Sequence, residues 1–151
     1  MTDTSRDVVE FLARYPPSVR DVALDAQRTI RMVMPEARHK VDPSSRVIGY
    51  GLGAGYTGLI CTIILSKTGV KLGIVRGAEL PDPGGLLEGA GKVHRYVMLS
   101  TVADVHRPAV KRLLEAAVKS WRARVTNGGN AAKKQGRDRR KSDRGARPRE
   151  V

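Results

Sequence analysis

The period of the hydrophobic residues changes twice along this chain, and those changes restrict the folds open to it. Val19, Val22, Ala23, Ala26, Ile30, Val33 and Met34 recur at helical spacing. Between residues 46 and 99 the repeat shortens to that of strands, with Val70, Leu72 and Ile74 alternating with Lys71, Gly73 and Val75. Val110, Leu113, Leu114, Ala117, Val118, Trp121 and Val125 then restore the helical stripe. Two amphipathic helices and one sheet each have an apolar face to bury. The economical arrangement is an α+β fold, an antiparallel β-sheet packed against N-terminal and C-terminal helices.

Local signals refine that outline. Thr4 and Asp7 have the spacing of a capping box, followed by Val8, Phe11, Leu12 and Tyr15 on one helical face, and Pro16 and Pro17 end that helix. Ser18 and Asp21 repeat the capping pattern before the second helix, which Pro35 stops. Strands are expected over 46–50, 59–65, 70–75 and 94–99. The short segments 51–55 and 66–69 suit hairpin connections in an antiparallel meander. The near-continuous apolar run from Leu59 to Leu65 predicts a central strand covered on both faces. Pro108 suits the first turn of the last helix.

The formal charge of +13 over 151 residues belongs to two regions. From Thr126 to Val151 there are nine Lys/Arg against three Asp/Glu, with too little apolar surface to offset chain entropy. Residues 1–125 are therefore read as one domain and 126–151 as a disordered basic tail. Residues 1–125 still carry 19 basic and 12 acidic groups, so both regions favour anionic partners. The tail suits weak nucleic-acid or other polyanion binding. No apolar run approaches the roughly 18 residues of a membrane span, and the polar, acid-containing start is unlike a secretory signal. A lone cysteine, Cys61, within the run Leu59 to Leu65 is read as a buried thiol. These features suit a cytoplasmic protein.

The segment from Arg76 to Arg95 sets five glycines among two prolines and three leucines, with Lys92 and His94 near its end. Connections of this length in compact domains tend to be functional or disordered, and Leu80, Leu86 and Leu87 give this one apolar anchors. Glycine lets backbone approach a ligand, and cations at both ends favour a negative one. The candidate ligand-binding residues are Arg76, Gly77, Gly89, Gly91, Lys92, His94 and Arg95, for a small anionic ligand. An ordered flap with its charges facing water is the alternative.

Other motifs carry less. Residues 51–56 read G-x-G-x-G but place Tyr56 where a dinucleotide fingerprint needs glycine, and the βαβ context is missing. Gly89 to Lys92 resembles part of a phosphate-binding loop but has Leu86 and Val93 at two defining positions. His39, His94 and His106 have no metal-ligand spacing. Asp82 and Glu88 are read as solvated or backbone-bonded acids. With no nucleophile motif, the chain is read as a binding domain without a catalytic residue, cofactor or metal.

The runs Phe11-Leu-Ala-Arg-Tyr-Pro-Pro-Ser-Val, Met34-Pro-Glu-Ala, Arg76-Gly-Ala-x-Leu-x-x-Pro and Leu87-Glu-Gly-x-Gly-Lys-x-x-Arg95 resemble those of the YdhG-like proteins. These are small, mainly bacterial domains, mostly without an assigned function, and the resemblance covers residues 7 to 122. It implies a compact α+β domain. One branch is described as a frataxin-like iron chaperone for iron–sulfur cluster assembly, which implies exposed carboxylates such as Asp21 and Asp25 on the N-terminal helices. The stretch Arg38-His-Lys40 is basic where relatives tend to be acidic.

Overall fold

Among the described residues, five strands form one antiparallel sheet in which spatial order repeats chain order. The computed structural model describes residues 5–53, 58–81, 85–89 and 93–126. Helices α1 (Arg6–Leu12) and α2 (Pro17–Val33) come first. Strands β1 (Arg38–Asp42), β2 (Val47–Gly51), β3 (Leu59–Leu65), β4 (Val70–Ile74) and β5 (Arg95–Leu99) follow, then a short helix α3 (Val102–Val105) and a helix α4 over residues 108–126. The fold is α+β, with an antiparallel sheet and helices from both ends of the chain. The chain divides into two compact units, Met1–Val118 and Lys119–Val151. In the second, residues 119–126 are described and helical. The segment expected to be a disordered tail lies outside the described residues, apart from Thr126 in α4.

One side of the sheet carries the core. Ile48 and Tyr50 of β2, Cys61, Ile63 and Leu65 of β3, and Val70, Leu72 and Ile74 of β4 are all at most 3% exposed. Helix α2 lies against β3 and β4 and buries Val19, Val22, Ala23, Ala26 and Ile30. Each buried Val or Ile side chain contributes about 1.5–3 kcal/mol relative to an exposed one. In α4, Val110, Leu113, Leu114, Ala117 and Val118 are buried. The helical stripes read from the sequence are therefore the buried ones here, except that Tyr15, Val33 and Trp121 are half-buried and Val125 is exposed.

Several local expectations need correcting. Thr4, of the capping box expected with Asp7, lies outside the described residues. Ser5 is the N-cap of α1, and its side chain makes no capping bond. Asp7 instead accepts from the Ser5 hydroxyl and the Val8 N–H. Helix α2 begins at Pro17 without a side-chain cap, so Ser18 and Asp21 form no capping box. Proline at this first position loses no intrahelical bond. A capping box does form at Thr101 and Asp104, where α3 precedes the helix expected from Pro108. Strand β1 was unexpected because its residues are mostly charged. It is an edge strand, where charge is tolerated and discourages pairing with another chain. β3 is central, but only one of its faces is buried, since Leu59, Thr62 and Ile64 remain half-exposed.

The helical side is fastened by two polar clusters. His39 on β1 lies between Arg31 of α2 and Asp7 of α1, with Arg31 Nη2 2.9 Å from Nδ1 and Asp7 Oδ2 3.0 Å from Nε2. A guanidinium can only donate, so Nδ1 accepts and Nε2 donates to the carboxylate. Asp25 of α2 receives Arg28 at 2.7 Å and His106, just after α3, at 2.9 Å.

Candidate functional site

Strand register determines which side chains stand on the face away from the core. Lys40, Gly49, Thr62, Gly73 and Tyr96 are directly opposite one another across the five strands. Asp42, Val47, Ile64, Lys71 and Met98 form the next row. Antiparallel partners share a face, so both rows point away from the core.

The glycines in the first row make this face low. A Cβ on Gly49 would come within 2.8 Å of Leu59 Cδ1, and one on Gly73 within 2.3 Å of Thr62 Oγ1. Leu59 and Thr62 therefore lean into the space that two missing side chains leave. Gly51 and Gly58 serve another purpose. A Cβ on Gly51 would meet the Gly58 carbonyl oxygen at 2.1 Å, where the register between β2 and β3 shifts. These glycines allow a close backbone crossing, as the antiparallel reading of the G-x-G-x-G run requires.

A cavity of about 270 Å³ lies on this face above β3, β4 and β5. Leu59, Ile64 and Val75 give it an apolar floor on this face, and His94, Arg95 and Tyr96 form its side. The Tyr96 ring has Lys71 Nζ 4.6 Å from its centroid. Glu88 folds back beside β5, its N–H donating to the Tyr96 carbonyl at 2.7 Å and its own carbonyl accepting from Tyr96 N–H at 3.0 Å. The next residue, Gly89, has φ +117° and lies against the Tyr96 ring, where a Cβ would be 3.2 Å from a ring carbon. Only glycine adopts this backbone readily.

Of the seven residues singled out in the sequence, Arg76, Gly77, Gly89, His94 and Arg95 are described and gather around the start of β5. The Arg76 N–H donates to His94 Nδ1 at 3.0 Å. Gly77 lies so close to β5 that a Cβ would sit 2.9 Å from Arg95 Cβ. The Arg76 guanidinium turns to Glu79, with Nε to Oε2 at 2.5 Å, and this exposed pair is worth at most about 1 kcal/mol. Arg95 donates from Nη1 to the His94 carbonyl at 3.1 Å. His94 and Arg95 line the cavity and Arg76 does not. Register pairs Arg95 with Ile74 on the core side, so Arg95 meets the cavity at its margin, at the start of β5. Gly91 and Lys92, like Asp82, lie outside the described residues.

Sequence reasoning missed the contribution of the sheet itself. Thr62, Tyr96 and the Gly49/Gly73 pair are spread over 48 positions, and register alone joins them into one surface. The available signal was the lone polar Thr62 within an apolar strand.

The carboxylates relevant to iron are differently placed. Asp25 is held by Arg28 and His106, with its side chain only 12% exposed. Among the described residues, no group of three or more His, Cys, Asp or Glu is arranged to hold a metal ion. No helix of the described residues is long and apolar enough to cross a membrane. Burial pushes the Cys61 thiol pKa well up, which keeps it protonated. No family model, curated protein or solved structure matches the chain.

Proposed function

We propose that this chain is a binding domain, not an enzyme, for a ligand with an apolar body and an anionic end, held on the open face of the sheet. The supporting observation is the cavity above β3–β5, whose floor is aliphatic and whose side carries Arg95 and His94. Ligand pockets are commonly apolar, with a few polar groups that fix orientation. Arg95 suits that role because a guanidinium offers paired donors to a carboxylate or phosphate, and one Nη1 bond to a carbonyl leaves other N–H groups to donate. A non-catalytic reading is supported by His94, whose Nδ1 already accepts the Arg76 N–H. Of the motif residues that resemble YdhG-like proteins, Arg76, Gly77, Glu88, Gly89 and Arg95 lie at this corner of the sheet, and we assign the chain to that family as part of the proposal.

The test is a titration of the full chain with 1-naphthyl phosphate and with uncharged naphthalene methanol. The phosphate should bind more tightly, and Arg95→Ala should weaken it roughly tenfold, in keeping with loss of a charge-assisted hydrogen bond. A thermal melt of the variant separates lost binding from lost folding. Equal affinity for the two probes, or unchanged affinity in a folded Arg95→Ala protein, overturns the reading.

A further inference from the structure

We infer that the occupant of this face is a single-stranded nucleic acid, laid from β5 to β1 with a base against Tyr96 and phosphates on Arg95, Lys71, Lys40 and Arg38. The inference rests on the reading above and names the class of its ligand. A second cavity of about 600 Å³ adjoins the first, sharing Leu59 and Thr62 with it. Arg38 and Lys40 stand on its β1 side, so cations flank the joined surface at both ends. With neighbouring strands about 4.8 Å apart, β1 and β5 are separated by about 19 Å. One small anion does not reach both ends, whereas a chain with repeating phosphates does.

The floor between the ends suits bases. Leu59 lying over Gly49 and Thr62 over Gly73 leave a low, largely apolar surface without a ridge. Single-strand binders combine a cationic track with aromatic stacking, and their smallest sites take about four nucleotides. Tyr96 is the stacking residue. The ammonium of Lys71 now covers its ring, but an exposed cation–π contact is weak. A base can displace it and free Lys71 for a phosphate. The acids on this face are placed to interfere little. Asp42 is turned to the Ser44 hydroxyl and the Ser45 N–H, and Glu88 lies at the margin beyond Tyr96.

The basic segment after residue 126 attracts any polyanion, so the test separates base contacts from charge. The full chain is titrated with a short oligothymidylate and with a base-free deoxyribose-phosphate strand of equal length. Oligothymidylate should bind roughly tenfold more tightly, the effect of one stacked base. Tyr96→Phe should keep that preference and Tyr96→Leu should remove it. Replacing the exposed Arg38 and Lys40 together by Ala should reduce the slope of log affinity against log salt by about 1.4. That measurement stands even if Tyr96→Leu does not fold. Equal affinity for the two strands, or an unchanged slope in the Arg38/Lys40 variant, overturns the inference. Arg95-dependent binding of 1-naphthyl phosphate alongside equal strand affinities removes the nucleic acid and retains the site. Loss of both removes the site as well.

Discussion

Gly73 shows how one missing side chain shapes the binding face. A methyl group there would stand 2.3 Å from Thr62 Oγ1 and 3.2 Å from Ile64 Cδ1. Gly73→Ala should therefore destabilise the domain by about 1–3 kcal/mol, the usual range for overpacking. Thr62→Ala in the same chain should recover much of the loss, because the Thr62 Cβ would lie at an ordinary 3.7 Å. Urea unfolding of the two single variants and the double variant measures that coupling, and additive losses would refute it. Gly73 was legible in the sequence only as an alternating position of a strand. Its partner Thr62 is eleven residues away in the chain, and only the pairing of β3 with β4 relates them. Arg76, in contrast, was visible as the cation leaving β4, but its left-handed backbone (φ 58°) and its turn toward Glu79 were not. Such conformations are set by tertiary contacts.

Among the elements, the four-residue helix α3 carries a complete capping box. In α3, Thr101 Oγ1 accepts from the Asp104 N–H at 3.3 Å, and Asp104 Oδ2 accepts from the Ser100 and Thr101 N–H groups at 2.8 and 3.1 Å. The cap turns the chain from β5 toward His106, which reaches Asp25 of α2. Thr101→Ala should cost about 1 kcal/mol, the usual loss at an N-cap, with Thr101→Ser close to wild type. Equal melting temperatures for the Ala variant and the parent would show that the cap contributes nothing. The spacing Thr101-Val-Ala-Asp104 could have revealed this helix, whereas the cap inferred at Ser18 was not formed and the N-cap of α1 is Ser5. Short polar residues before a helix are frequent, and the sequence does not show which of them the packed chain places within reach of an N–H. Apolar periodicity was the better guide. It located β3, β4, α2 and α4, because burial sets their pattern directly. It passed over β1, whose five residues include two bases, an acid and a histidine.

At the scale of the whole domain, His39 ties α1, α2 and β1 together through Asp7 and Arg31. The Ser5 hydroxyl bond, helped by His39, holds the Asp7 carboxyl below the usual carboxylate range. A depressed folded-state value means that Asp7 stabilises the fold above about pH 4, and that this contribution disappears as pH falls through the lowered value. Asp7→Asn should flatten the acid side of a stability–pH profile and leave its shape above pH 5 unaltered. An unchanged acid limb in urea melts would refute the assignment. The sheet order has a separate consequence for assembly. Strands β1 to β4 join through the segments 43–46, 52–58 and 66–69, while β5 waits for the segment 75–94 to close. Closing a connection about five times longer than a tight hairpin adds about 1.4 kcal/mol of entropy to that step. The first four strands are thus expected to pair early in folding, with β5 joining after them. The strand that carries Arg95 and Tyr96 would be the last to arrive and the first to detach, so a molecule bound there would also slow unfolding.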